Sequence, residues 1–392
     1  NNLKLRASYG QVGNDVYTVG GVAQRFLYEE KWSQISNDYM FGTSGKSGIY
    51  ETQYPNYGVT WERAHKYNVG LEFGLWNGLL NGNIDLFHEK RNDILTNYLT
   101  RPEWVGVTMA AGNLGETVNS GFEIELKHNN HIGKDFQYNL GLTFSHAKNE
   151  IKNMDEPALK TDYRKREGHP IGQYYGLVCD GFVTAADVAD PNFPTSTFGN
   201  VQIGDLKYRD MNNDGFIDER DETFIGYSDV PENTYAITLG CNYKGIGFSV
   251  MFQGVDHVSR YYDAEAMYAF VSGGKVKEHH LDRWNPTKSE SENLASAKYP
   301  LLHYDSYGDH NQRQNSFFLK NGAFMRLKNI ELSYTLPTKW IEKVGMSDCR
   351  LYVNGNNLIT WDHLDDLCDP ESNGSNRYPI MKTVNFGVNI KF

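Results

Sequence analysis

Along ten stretches of the chain, apolar and polar residues alternate with a period of two. The last stretch is the plainest. Val384, Phe386, Val388, Ile390 and Phe392 are apolar, and Asn385, Gly387, Asn389 and Lys391 stand between them. Successive side chains of a strand point to opposite faces, so the pattern predicts a strand with one apolar and one polar face. A slip of one residue would turn Lys391 onto the apolar face, which specifies the register tightly. The other stretches are residues 3–10, 64–75, 80–95, 121–128, 136–151, 235–243, 248–255, 323–336 and 349–361. Most are longer than the five or six residues usual in soluble sheets, and they suit a tilted membrane strand of about ten. The first carries Leu3, Leu5, Ala7 and Tyr9 on one face and Lys4, Arg6 and Ser8 on the other. A chain that opens mid-strand predicts further sequence upstream of Asn1.

The connections alternate in length. Short links at 76–79, 129–135, 244–247 and 337–348 separate long polar, aromatic-rich segments at 11–63, 96–120, 152–234, 256–322 and 362–382. Structureless loops of that length are unusual in a compact soluble domain. Outer-membrane barrels have this asymmetry as a rule, with tight periplasmic turns and long extracellular loops. The expected fold class is therefore all-β. It is an antiparallel transmembrane β-barrel segment of about ten strands, one continuous sheet within a larger barrel. In the last strand Val384, Phe386, Val388, Ile390 and Phe392 face lipid, while Asn385, Asn389 and Lys391 face the lumen.

Composition is compatible with this reading. Mean hydropathy is −0.59, aromatic residues make up 14 %, and there are 26 Tyr and 38 Gly. No apolar run is long enough for a transmembrane helix. A membrane barrel shows lipid only alternate residues, so its hydropathy resembles that of a soluble protein. A secreted, Tyr-rich carbohydrate-binding β-sandwich would give similar totals, with its apolar rows turned inward. The formal net charge of −11 argues against nucleic acid as a partner, because phosphate backbones select basic surfaces. Cys179, Cys241, Cys349 and Cys368 are too scattered for a disulfide framework or a zinc site. No GxSxG occurs, and Ser, His and Asp abound without a distinguishing spacing, so the chain reads as no enzyme.

The sharpest local motif is "DMNNDGFIDERD". Asp210, Asn212 and Asp214 occupy positions 1, 3 and 5 of an EF-hand-type loop, Gly215 the turn and Phe216 the backbone-carbonyl position. Asp218 and Asp221 follow at positions 9 and 12. Oxygen-bearing residues at this spacing wrap one hard cation, so the expected ligand is a structural Ca2+ held by Asp210, Asn212, Asp214, Phe216, Asp218 and Asp221. Asp in place of Glu at the last position shortens the reach and weakens binding.

Other candidates read more plainly. Trp32 and Trp104 are loop aromatics that suit loop packing or contact with a covering protein better than sugar stacking. Tyr174, Tyr175, Tyr261 and Tyr262 fit loop packing or the aromatic girdle of a barrel. His279 and His280, beside Glu278 and Asp282, diverge in direction as neighbours do, which speaks against a metal or acid–base cluster. The acidic run holding Asp362, Asp365, Asp366, Asp369 and Glu371 reads as a solvated extracellular loop, with a second cation site as the sharper alternative.

Nine stretches, in order from Leu3 to Phe392, resemble the SusC/RagA family of TonB-dependent outer-membrane transporters of Bacteroidetes. They include "LKLRASYGQVGN", "TWERAHKYNVGLEFGLWNGLLNGNIDLFHEKRNDIL", "NLGETVNSGFEIEL" and "EGHPIGQYYGLVCDGFV". "GDLKYRDMNNDGFIDERDETFIG", "LDRWNP", "LKNGAFMRLKNIELSYTLP", "LYVNGNNLITW" and "YPIMKTVNFGVNIKF" complete the set. The resemblance implies a barrel of about 22 strands, the size class of plugged transporters. Residues 1–392 then match its carboxy-terminal part, with the plug domain and first strands lacking a counterpart. The terminal Phe392 is what such barrels present to their assembly machinery. The resemblance further implies import of an oligomeric nutrient, an oligosaccharide or a peptide, under a SusD-like lipoprotein lid. Energy would come from the TonB complex through the missing amino-terminal part, and two such transporter–lid pairs would form a dimer. The expected location is the bacterial outer membrane, in contact with its lipid. A siderophore or vitamin receptor of the wider TonB-dependent class, working without a lid, is the alternative.

Overall fold

A computed structural model describes residues 1–100, 103–158, 161–262, 267–271, 274–304, 310–364, 368–372 and 378–392, with side chains described at all of these except 37–39, 41 and 103. Ten strands form one sheet whose spatial order follows the chain. They are β1 (Asn2–Asn14), β2 (Glu62–Leu75), β3 (Leu80–Thr96), β4 (Gly112–Ile132), β5 (Phe136–Asn153), β6 (Asn233–Tyr243), β7 (Ile246–Asp256), β8 (Phe324–Thr335), β9 (Asp348–Asp362) and β10 (Thr383–Lys391). Every predicted strand is present. The largest difference in length is β4, predicted over 121–128. Its first half, "GNLGETVNS", pairs without apolar alternation, and none of these nine residues is exposed.

The chain divides into two compact units. The first comprises Asn1–Gly74, Gly82–Ile124 and His146–Ile171, and the second Leu75–Asn81, Glu125–Ser145 and Gly172–Phe392. Within the first unit the β1–β2 register sets Leu3 opposite Phe73, Leu5 opposite Leu71 and Ala7 opposite Val69. Leu3 and Leu5 are exposed, so this apolar row is not covered by a second layer. The opposite face is charged. There Lys4 pairs with Glu72 at 3.3 Å, Arg6 with Asp85 at 2.5 Å and Lys66 with Glu89 at 3.1 Å. The segment after β1 adds a hairpin of Lys31–Phe41 with Ser44–Tyr54, joined in parallel by Thr108–Met109. A small core of Leu27, Leu95, Ala110 and Ala111 lies beneath.

In the second unit one row crosses five strands, Cys241–Phe248–Leu332–Val353–Phe386. The next row, Asn242–Gly247–Ser333–Tyr352–Gly387, belongs to the opposite face. Here the Tyr352 ring lies over Gly387, where a Cβ would come within 2.2 Å and displace the ring. Phe386 is 83 % exposed, and Val384, Val388, Ile390 and Phe392 are exposed as well. A sandwich would bury these five between sheets. The single ten-stranded sheet rejects it. On the polar face Asn385 donates to Asn354 at 2.9 Å.

The long connections depart from the sequence expectation. In the second unit they are not structureless loops; they carry that unit's main hydrophobic core, including Leu177, Leu206, Tyr208, Ile217, Met267, Phe318 and Leu364. Short pairings hold it: Gln173–Gly176 with Thr223–Ser228, Cys179–Phe182 with Leu206–Tyr208, and Ser259–Tyr261 with Leu319–Asn321. Strands of three to six residues are too short to print a period on the sequence.

Candidate functional site

The acidic motif folds as a tight loop within the second unit. Asn213 and Gly215 take positive φ, at 58° and 80°, and reverse the chain. Asp210 accepts the N–H groups of Asp214 at 3.3 Å and Gly215 at 2.8 Å. Asn212 accepts from Asp214 at 2.9 Å, and Asp214 from Phe216 at 3.0 Å. Phe216 and Ile217 pair in parallel with Thr195 and Ser196. Asp221 is fully buried and accepts the N–H groups of Met211 and Asp218, both at 2.9 Å. Arg220, which the spacing argument passed over, bridges the loop: its guanidinium lies 2.8 Å from Asp214 and 2.7 Å from Asp218. Among the described residues no group of three or more His, Cys, Asp or Glu is arranged to hold a metal ion. The fold thus brings Asp214 and Asp218 onto one guanidinium.

A buried polar network lies next to this loop in sequence. Asp205 is 1 % exposed and accepts from the Gln202 N–H at 2.7 Å and the Asn311 amide at 2.8 Å, with His303 Nε2 at 2.6 Å. Tyr208 donates to the His310 carbonyl at 2.8 Å, and burial pushes its phenol well above the usual range. His280 accepts the Lys277 N–H at Nδ1, which leaves Nε2 to donate to the Met267 carbonyl at 2.8 Å. Burial holds the His280 imidazole below its ordinary pKa. The His279 ring lies tilted against Tyr299, 5.2 Å between centroids, and Asp282 faces Lys298 at 3.4 Å. The two imidazoles do not diverge as expected of neighbours: their rings lie 4.1 Å apart and both pack against Tyr299, which makes the pair part of the connection's packing.

The tyrosines also pack inside this module. Tyr174 lies beside Tyr261, Tyr175 meets Phe224 edge-on, and Tyr262 donates to the Leu364 carbonyl at 2.5 Å. They are loop-core residues and no girdle.

The acidic run requires a correction. Asp365 and Asp366 lie outside the described residues, but Asp369 and Glu371 do not stand in solvent. Both grip Arg326, a β8 residue that is 1 % exposed: Asp369 takes two hydrogen bonds at 2.8 Å, and Glu371 binds Nη1 and also accepts from Lys328 at 3.0 Å. Arg326 Nε completes its set on Thr360 at 2.9 Å. The cation these carboxylates hold is a guanidinium, which their spacing alone had left open. Arg326 sits on the polar face of an alternating strand, and nothing in the sequence marks it off from other polar positions.

Within the first unit, Trp104 is 86 % exposed and Trp32 is also open, so neither is packed away as loop filler. A cleft of about 620 Å³ opens nearby in the chain, lined by Tyr17, Phe26, Tyr28, Trp61 and Leu95 with Asp15 and Arg25 among its polar groups.

A single sheet with an uncovered apolar face, a charged opposite face and large folded excursions at one set of turns has the layout of a receptor barrel wall. The family model "TonB dependent receptor-like, beta-barrel" matches residues 1–358. The chain belongs to the TonB-dependent receptor β-barrel family. It is 26 % identical over 423 residues to TonB-dependent receptor P3 of Formosa agariphila, covering 99 % of this chain and 39 % of that one. Against TonB-dependent receptor SusC of Bacteroides thetaiotaomicron the identity is 25 % over 411 residues, covering 100 % and 38 %. The chain thus spans about two-fifths of the length of these relatives. Its fold matches the RagAB peptide transporter with a TM-score of 0.67 at 20 % identity, over 100 % of this chain and 41 % of that one. In its "open-open" state the RagAB importer matches at 0.69 and 21 %, with 100 % and 40 % covered. The receptor barrel is of SusC/RagA type and lies in the outer membrane. Its uncovered apolar rows, Leu3–Phe73 in one unit and Leu332–Val353–Phe386 in the other, are the surfaces that meet lipid.

Proposed function

We propose that this chain is the carboxy-terminal barrel portion of a TonB-dependent importer of oligomeric nutrients, glycan or peptide. In this reading it works with a SusD-like surface lipoprotein, as a dimer of such pairs, and is driven by TonB through an amino-terminal plug. The observation that carries the reading is the open aromatic character of the first unit, where Trp32, Trp104 and Tyr57 are exposed and a cleft is lined by Tyr17, Phe26, Tyr28 and Trp61. Such aromatics favour contact with a lid or a chain-like substrate, since they offer large area at low entropic cost. The role is binding and transport, not bond-making. Native purification of the tagged full-length receptor, followed by uptake assays with labelled oligosaccharides, peptides and iron chelates, tests it. The expected result is a co-purifying lipoprotein and uptake of one oligomer class. A receptor that purifies without a lipoprotein and imports only an iron chelate or vitamin would overturn it in favour of the lidless class.

The loop formed by Asp210, Asn212, Asp214, Phe216, Asp218 and Asp221 is proposed to take one Ca2+ as a structural staple. Its oxygen spacing and the closure of Asp210 over the N–H groups of Asp214 and Gly215 support this. Calcium would have to displace the Arg220 guanidinium.

A further inference from the structure

The cleft of about 620 Å³ in the first unit is walled by side chains held firmly from behind. It opens between residues 15–17, which follow β1, residues 23–28, and residues 59–61, which precede β2. Leu27 is buried in the small core, and its carbonyl accepts the Asn56 N–H at 2.7 Å, which pins the segment at its middle. Phe26 and Tyr28 on either side stay exposed, their rings edge to face at 6.2 Å. Phe26 takes a φ of 57°, a conformation open to glycine and costly for a bulky side chain. Such strain collects where a side chain is held in place for a ligand. On the facing wall the Trp61 ring lies on Gly13, where a Cβ would come within 2.8 Å of it. Asn113 clasps both backbone groups of Thr60, at 2.9 and 2.8 Å.

The chemistry of the lining narrows what fits. Ligand sites of this size are mostly apolar with a few placed polar groups, and here Val16, Val59 and Leu95 join the aromatic rings. A glycan needs many neutral hydrogen-bond partners. Of those lining the cleft, Tyr17 already donates to Asn97 and Gln24 to the Val22 carbonyl, both at 3.3 Å. Two charged groups remain. Asp15 and Arg25 both line the cleft and are exposed, and among the described residues neither is in an ion pair or a side-chain hydrogen bond. A neutral oligosaccharide would leave both charges unmatched, and an acidic one would set its anions against Asp15. A short peptide with free ends and an apolar side chain answers all three features.

We propose that this cleft is a recognition subsite for short apolar peptides with free termini. An aromatic or aliphatic side chain lies among Phe26, Tyr28 and Trp61. The α-ammonium lies against Asp15 and the α-carboxylate against Arg25. The proposal rests on the importer reading and narrows its cargo to peptides chosen by their ends.

The test is isothermal titration of the purified full-length receptor with alanyl-phenylalanyl-leucine, its N-acetylated form, its C-terminal amide and maltohexaose. Acetylation and amidation should each weaken binding roughly threefold to tenfold, as the loss of an exposed charge-assisted contact does. In Asp15→Asn acetylation should cease to matter while amidation still does, and in Arg25→Gln the reverse should hold. Phe26→Gly relieves the positive φ, so it should melt no lower than the parent and yet bind the tripeptide more weakly. End discrimination in a receptor that carries no lipoprotein supports the subsite while sinking the lidded-importer reading. Tripeptide binding that is absent, or indifferent to blocked ends, would overturn the proposal. So would tighter binding of maltohexaose that Trp61→Ala removes, which would give the cleft to a glycan and leave the importer reading standing.

Discussion

Arg220 and Arg326 show how single residues redirect an acidic sequence. Spacing identifies which oxygens can converge, but not what they converge on. In the loop starting at Asp210 the guanidinium of Arg220 spans Asp214 and Asp218. In the run ending at Glu371 the guanidinium of Arg326 holds Asp369 and Glu371. The two differ in burial: Arg220 is exposed, whereas Arg326 is shut away from water. Displacing Arg220 by calcium therefore costs little, since an exposed arginine regains its hydration. Calcium binding to the full-length receptor is expected in the range of about 10⁻⁴–10⁻³ M. Arg220→Ala should tighten it by removing the internal competitor, and Asp214→Ala should abolish it. Isothermal titration checks both; equal calcium responses in the two variants would dismiss the staple.

At the scale of the element, alternation decided nearly everything about the ten wall strands. The row Cys241–Phe248–Leu332–Val353–Phe386 is apolar across five strands because each strand independently obeys the same two-residue period. Phe386→Arg should cost about 2–4 kcal/mol by placing a charge in hydrocarbon, whereas Asn385→Arg, on the opposite face, should stay within about 0.5 kcal/mol. Urea titration of the folded, heat-modifiable form in lipid vesicles measures both, and equal losses would reverse the assignment of faces. The first half of β4 escaped the sequence because its pairing runs through Gly112, Asn113, Gly115, Asn119 and Ser120, which carry no two-residue period. The short pairings of the connections, such as Cys179–Phe182 with Leu206–Tyr208, escaped it because they depend on residues distant in sequence.

On the scale of the molecule, the second unit anchors its last long connection at both ends of one segment. Leu364 is fully buried in the module core, and Asp369 and Glu371 are clamped on β8 through Arg326. Arg326→Ala should leave Asp369 without its cation and Glu371 with Lys328 alone, and cost about 3–5 kcal/mol. Limited proteolysis of the purified full-length receptor should then cut within residues 362–382, while a triple replacement of Arg326, Asp369 and Glu371 by apolar residues should resist cleavage. A single variant as resistant as the parent would show that the clamp does not hold the segment. The sequence by itself determined the wall: strand number, face and register follow from a local period that each strand carries alone, and the family motifs run the length of the chain. It also located the acidic loop and the exposed tryptophans. Tertiary structure alone decided that the connections of the second unit hold a core of their own, that Tyr262 and His280 serve it, and which guanidinium each acidic cluster grips. Those outcomes depend on contacts such as Tyr208 with His310 and Arg326 with Asp369, which join residues far apart in the chain and leave no periodic trace within it.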